Sequence, residues 1–351
     1  MKQGQTLINM STELLRQRKL KKDYLVNTRH MLMAQSGESI DLLGLDQTPT
    51  HHLKISDLAH RQLGQKLGIP AKYYEVLRQE KPQLLAKNVN SWLYSQNEQR
   101  MVRTLDFTLR AYLSKRYRPM DNADLAEATL PIITNAGYKI HSCNISDHKF
   151  YIKAVTDRIY DEIEKNDIVQ SGICISNSEV GLGGLKVVPL VYRLACLNGM
   201  IMNDFGVRKH HVGRKHVECN DVSEFYTDET RKADDKALWL KVRDTVRATL
   251  DEVHFRTIVN SLKTASQRQI TGTPLEVIKH VSSRFAINEN EQASVLSHLV
   301  TGGSLTQYAL ANAVTRTAQD VESYDRSTEL EGVGANIVTL DQTDWSVINA
   351  A

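Results

Sequence analysis

The spacing of apolar residues divides the chain into three parts that favour different secondary structure. In the first part, residues 1–98, short apolar groups alternate with polar residues over Asn27–Leu43, which predicts a small hairpin. The apolar residues then recur at helical spacing. Ser56 is a good N-cap for the first helix, because Ala59 and Leu63 follow it on one side. The same pattern continues through two further segments, so we predict three short helices before residue 98.

The second part, residues 99–222, favours β-structure. Short polar turns separate its β-prone runs. These runs are Tyr138–Ile145, Phe150–Val155 and Ile168–Ser176. Leu185–Leu197 is almost continuously apolar, which fits a central strand and a buried helix equally well. We therefore predict a hairpin-rich, mostly antiparallel sheet that begins at Gln99 and extends to about residue 200.

The third part, residues 223–351, is helical in pattern. Leu238, Val242 and Val246 recur at four-residue spacing, and Thr273-Pro-Leu-Glu has the sequence of a capping box with proline at the first helical position. The expected fold class is α+β, with short N-terminal helices, a central sheet and a helical C-terminal region.

Composition excludes several classes of protein. The 351 residues are 41% hydrophobic and 24% charged, which is enough to form a folded core and argues against disorder. No stretch reaches the roughly 20 apolar residues of a bilayer span, and Met1–Lys22 is polar and basic rather than a signal peptide. We expect a soluble cytoplasmic protein with no membrane association and with reduced cysteines.

Charge distribution is more informative than the net charge of +3. Basic residues concentrate in three segments, residues 1–22, 100–118 and 207–216. In the second segment they interleave with aromatic rings, as in grooves that hold phosphates on cations and bases on rings. The predicted nucleic-acid-binding residues are Arg103, Arg110, Tyr112, Lys115, Arg116, Tyr117, Arg118, Arg208, Lys209, Arg214 and Lys215. Ordinary solvated surface is the alternative, and it is disfavoured only if the three segments share one face.

The familiar catalytic signatures are absent from the sequence. There is no H-E-x-x-H, G-x-S-x-G or P-loop motif, so we assign no catalytic residue, and an enzyme is less expected than a binding protein. Two clusters have side chains that could bind a metal ion. The first is His210, His211, His216 and Cys219, which a basic loop explains more simply. The second is Asp157, Asp161, Glu162, Glu164 and Asp167, which a solvated connection between strands explains more simply. We therefore predict no metal and no cofactor.

A further group of polar side chains lies around the end of one predicted strand. It comprises Ser176, Asn177, Ser178, Glu179, Arg193 and Asn198. Because buried polar groups need partners, we expect an ion pair between Arg193 and Glu179 that fixes the fold. The alternative is a polar recess that receives a nucleotide or a peptide.

Two strings around these residues resemble a known family. GICISNSEVG at Gly172–Gly181 and VYRLACLNGM at Val191–Met200 resemble the phage/plasmid-like protein family, a domain of unknown function carried on prophages, plasmids and phage genomes. Supporting strings are LGIPAKYY at Leu67–Tyr74, RAYLSKRYRP at Arg110–Pro119 and YALANAVT at Tyr308–Thr315. The resemblance implies a mobile-element context, in which handling, protecting or recombining DNA is the common task.

The predicted order of hairpins and a helix is also similar to the core of Rad52-type single-strand annealing proteins, which implies oligomeric rings. Our leading hypothesis is a nonenzymatic, homo-oligomeric protein that binds or anneals single-stranded DNA during recombination or replication of a mobile element. The alternatives are a protein-binding module that acts against a host defence system and a metal-dependent enzyme that acts on nucleic acid.

Overall fold

The computed structural model describes residues 1–45, 48–203, 207–209 and 228–349. Within these ranges the chain forms two β-sheets and twelve α-helices, and helices account for nearly all of the chain after residue 228. The predicted α+β class is therefore confirmed. None of the helices in these ranges is both long and apolar enough to cross a membrane.

The first sheet and its helices come from the N-terminal third of the chain. Its strands are β1 (Lys22–Asn27), β2 (Met31–Met33), β3 (Ser39–Leu45), β4 (Thr48–Ile55), β5 (Gln99–Leu105) and β6 (Thr108–Ser114), in the order β1-β5-β6-β4-β3-β2. The helices of this part are α1 (Leu7–Leu20), α2 (Asp57–Lys66), α3 (Ala71–Glu80) and α4 (Pro82–Gln96). All neighbouring strands are antiparallel except β4 and β6, which are parallel.

The three predicted short helices correspond to α2, α3 and α4. Ser56 caps α2 by accepting a hydrogen bond from the Ala59 backbone N–H at 3.2 Å, as expected. Ala59 and Leu63 are buried in the core that these helices form with one face of the first sheet. Trp92 of α4, in contrast, is half exposed.

The strands β5 and β6 were expected to begin the central sheet, and the structure corrects this. β5 pairs with β1, and β6 pairs with β4, so this hairpin lies in the middle of the first sheet. The sequence pattern identifies a strand, but it does not identify a partner that lies about 80 residues away in the chain. The first sheet therefore extends to Ser114.

The second sheet is antiparallel and rich in hairpins, as predicted. Its strands are β7 (Lys139–Ile145), β8 (Phe150–Glu162), β9 (Ile168–Asn177), β10 (Leu185–Arg193), β11 (Asn198–Ile201) and β12 (Val207–Lys209). The order is β11-β10-β9-β8-β7, and the short β12 pairs with one end of β10. The ambiguous apolar run at Leu185–Leu197 is thus a central strand followed by a turn.

Helices cover both faces of the second sheet. They are α5 (Asn122–Asn135), α6 (Asp228–Thr249), α7 (Glu252–Gln267), α8 (Pro274–Phe285), α9 (Glu289–Gly302), α10 (Gln307–Asp320), α11 (Tyr324–Val338) and α12 (Gln342–Asn349). Helices α1, α5 and α6 pack on one face around Phe150 and Ile175. Helix α11 lies against the other face, where Glu331 forms a fully buried ion pair with Lys153 at 2.5 Å.

Candidate nucleic-acid interface

Much of the second basic segment is inside the protein. Arg103 and Tyr112 have no exposed surface, because β5 and β6 are central strands covered on both sides. Tyr117, just beyond β6, is 8% exposed because it packs against Leu113 and Val180. A ring that is buried in the core cannot stack on a base. The predicted contact of these three residues with nucleic acid is therefore contradicted by their burial.

Two cations of this segment, Arg103 and Arg110, belong to a buried ionic network that joins the two sheets. The network consists of Lys21, Arg103, Arg110, Asp23, Asp121 and Glu179. Arg103 binds Asp23 at 2.8 Å and Asp121 at 2.7 Å, and it also donates to the backbone oxygen of Glu179 at 2.9 Å. Arg110, predicted as a phosphate contact, is bound to the buried Glu179 carboxylate.

The network favours the charged forms of Arg103 and Asp121. Burial alone would lower the pKa of Arg103, but the carboxylates of Asp23 and Asp121 raise it above its ordinary value. Burial would raise the pKa of Asp121, but the cations Arg103 and Lys21 lower it overall. The three cations are thus matched by three acids from distant parts of the chain, and this region is structural rather than a site for phosphates.

Residues 178–182, here called the docking loop, place Glu179 in contact with Arg110 of the first sheet. Gln62 of α2 donates to the Val180 backbone oxygen at 2.8 Å, and Ser178 donates to the His148 backbone oxygen at 2.8 Å. Gly181 has a φ of +81°, and a Cβ there would lie 2.6 Å from a methyl carbon of Leu113. The turn at Gly181 is thus a close contact between the two sheets.

The predicted ion pair between Arg193 and Glu179 does not form. In the antiparallel register Arg193 lies opposite Val169, at the far end of β9 from Glu179. Arg193 instead binds Asp167 at 2.6 Å, and Asn198 donates to Asn312 and Thr315 of α10. The six predicted polar residues therefore belong to two separate clusters at opposite ends of the same pair of strands. Asn177, for example, bonds to Asn122 at 2.8 Å in the cluster near the docking loop.

The remaining predicted cations have different positions. Lys115 and Arg116 are exposed just beyond β6, and Arg118 is partly exposed, and all three are engaged in interactions. The backbones of Arg208 and Lys209 lie in β12, opposite Lys186 and Leu185. Arg214, Lys215 and the predicted histidine and cysteine cluster at 210–219 lie outside the described residues.

A second group of cations lies around the tip of the β5–β6 hairpin; three of the four come from the basic segment at residues 1–22, but none was among the predicted binding residues. We call it the basic tip, and it consists of Phe107 with Arg16, Lys19, Lys22 and Lys54. Arg16 binds Asp106 at 2.5 Å, Lys22 lies opposite Thr104, and the Lys54 backbone N–H donates to the Phe107 oxygen at 3.0 Å. Lys19 is one helical turn from Arg16 on α1.

The charges at the basic tip are only partly neutralised. The neighbouring acids are Glu13 and Asp106, and both bind Arg16. Lys19, Lys22 and Lys54 are exposed and form no ion pair with any residue that the structure describes. Phe107 is 86% exposed. The signal available in the sequence was the two-residue gap, Asp106-Phe107, between two β-prone runs.

The acidic run around residue 160 does not form a metal cluster. Asp157 binds Lys139, Asp161 binds Arg256 and Lys263, and Asp167 binds Arg193. Across the described part of the chain, no group of three or more potential metal ligands comes together. Each of these three acids has a cation as its partner, so a structural role accounts for them.

Comparison with known proteins identifies the family. Residues 111–351 match the family model described as a domain of unknown function, DUF932, and the chain belongs to that family. The matched region contains the docking loop and begins within β6, after the hairpin tip. No curated protein and no solved structure matches the chain.

Proposed function

We propose that this protein binds nucleic acid without catalysis, favours single strands, and makes its contacts through the basic tip. One observation carries the proposal: three exposed lysines without ion-pair partners among the described residues, Lys19 and Lys22 from one segment and Lys54 from another, lie on elements that contact the hairpin tip with its exposed Phe107 ring. Cations bind the phosphates of a strand and an exposed ring can stack on its bases, a combination common to proteins that bind single strands.

We propose further that this activity serves the recombination or replication of a mobile element, as a homo-oligomer that protects or anneals single-stranded DNA. The support is the resemblance of the strings at Gly172–Gly181 and Val191–Met200 to phage/plasmid-like proteins. The likeness to annealing proteins is one of architecture alone, and fold does not imply function. Annealing of complementary oligonucleotides, together with the oligomeric state in solution, tests this part of the proposal.

The basic tip itself is tested by replacing Lys19, Lys22 and Lys54 together with glutamine. Binding of a labelled single-stranded oligonucleotide is measured by fluorescence anisotropy over a salt series. Each phosphate contact to a single strand contributes about 0.7 to the slope of log K against log salt. We therefore expect the triple variant to bind more weakly, with a slope reduced by roughly 2.

The matched control replaces Lys66, Lys72 and Lys87 with glutamine. These lysines are also exposed in the N-terminal part, but they lie on α2, α3 and α4, and their loss changes the net charge equally. The control variant should bind like the wild type. Equal weakening in both variants would show that only net charge matters and would contradict a specific site. Absence of binding by the wild type at low salt would favour a protein-binding role instead.

A further inference from the structure

The loop at the end of the β5–β6 hairpin has an unusual composition for its geometry. Leu105 and Thr108 pair across the hairpin, so Asp106 and Phe107 alone form the turn. Both have left-handed backbone conformations, with φ of +50° and +58°. Two-residue turns of this kind are normally made by Asn-Gly or Asp-Gly, since a bulky side chain is strained at positive φ. The chain thus has phenylalanine where glycine would be the more stable residue.

Contacts on both sides hold this strained turn in place. The Phe107 backbone oxygen accepts from the Lys54 N–H at 3.0 Å, and Arg16 of α1 binds the Asp106 carboxylate at 2.5 Å. The backbone is therefore fixed while the ring, 86% exposed, projects from the protein. A side chain on a fixed backbone loses less conformational freedom when a ligand binds than one on a mobile loop, which favours a binding role. Strained residues of this kind cluster at ligand-binding sites.

We propose that Phe107 stacks on an unpaired base of a single-stranded nucleic acid whose phosphates are held by Lys19, Lys22 and Lys54. This inference rests on the proposed function and assigns the residue that selects single strands. The lysines can bind any polyanion, but the ring adds affinity only if a free aromatic face is available. In a duplex the faces of the bases are covered by their neighbours, so the ring selects single strands.

The test compares three labelled probes by fluorescence anisotropy: oligothymidylate, an abasic deoxyribose-phosphate oligomer of equal length, and a duplex. Loss of one stacked base weakens binding by about 5- to 100-fold. Phe107→Ala should lose that factor for oligothymidylate and should bind the abasic oligomer and the duplex like the wild type. Its salt slope should be unchanged, because no phosphate contact is removed.

The outcomes separate this inference from the proposed function. If the wild type and Phe107→Ala bind oligothymidylate equally, phosphate binding stands and stacking is overturned. If the wild type binds none of the three probes, both proposals fail. If Phe107→Ala instead converts an oligomer to a monomer at equal oligonucleotide affinity, the ring serves a contact between copies of the chain and the inference is wrong.

Two further variants exclude an effect of misfolding. Phe107→Gly removes the strain at positive φ, so it should unfold at a temperature equal to or above that of the wild type and yet lose the same oligothymidylate affinity. Phe107→Trp should keep the affinity, and its added fluorescence, measured against the wild type, should be quenched by oligothymidylate but not by the abasic oligomer. Unquenched fluorescence at saturation would overturn stacking.

Discussion

Replacement of Glu179 by glutamine tests the buried ionic network that joins the two sheets. The Glu179 carboxylate is 3% exposed, is bound by Arg110 and Lys21, and accepts the Asn122 backbone N–H at 2.6 Å. Glutamine keeps the size and one acceptor but removes the charge. Three buried cations then face only the two carboxylates of Asp23 and Asp121.

The expected loss in the free energy of unfolding comes from Arg110, which is left without its carboxylate partner. Removal of one member of a buried ion pair costs about 3–5 kcal/mol, because the other charge stays desolvated and unpaired. The Arg110 side chain is 12% exposed, and Asp121 still binds Lys21 and Arg103, so the cost should fall at the lower end of this range, about 3 kcal/mol. A decrease in Tm of roughly 4 °C should follow, because the entropy of unfolding of a chain of 351 residues is about 0.7 kcal/mol/K.

Urea unfolding and calorimetry measure this cost, with Glu127→Gln as the matched control. Glu127 pairs with Arg18 at 3.3 Å on the surface, where its side chain is 72% exposed, so its loss should change the free energy of unfolding by less than about 0.5 kcal/mol. Adding Arg110→Gln to Glu179→Gln should recover part of the stability, since no charge is then stranded. If Glu179→Gln unfolds like the control, the network does not stabilise the junction.

Two other predictions concern buried charged groups. Lys153→Met should lower the free energy of unfolding by about 3–5 kcal/mol, because it leaves the fully buried Glu331 carboxylate without its cation. Adding Glu331→Leu should restore most of that loss in urea unfolding. A double variant as unstable as the single one would contradict this prediction. Burial lowers the pKa of His60 to about 4, so the folded protein keeps the ring neutral while the unfolded chain takes up a proton below its ordinary pKa of 6.5. Stability should therefore decrease by about 3 kcal/mol as the pH falls from 7 to 4, and an NMR titration midpoint for His60 near 6.5 would be inconsistent with its burial.

The local elements were predictable from the sequence because they depend on neighbouring residues. Ser56, Ala59 and Leu63 are close enough in sequence to define a cap and a buried stripe, and the structure has both. Which strands pair is not a local property. β5 pairs with β1, more than 70 residues earlier in the chain, and no feature of Gln99–Leu105 alone indicates that partner.

The candidate site was misplaced for the same physical reason. Within residues 100–118 a single acid, Asp106, stands among the cations, so the segment reads as strongly basic. In the folded protein Arg103 and Arg110 meet acids that are 18 to 80 residues away in sequence, and their charge is neutralised. Local charge balance therefore overestimated the basic surface of this segment.

The most direct test of the central proposal is the salt-dependent binding of the wild-type protein to labelled single-stranded and duplex oligonucleotides of equal length, measured by fluorescence anisotropy. We predict tighter binding of the single strand and a linear decrease of log K with log salt, with a slope of about −2 or steeper for three or more phosphate contacts. Absence of binding at low salt, or an affinity that does not change with salt, would contradict it.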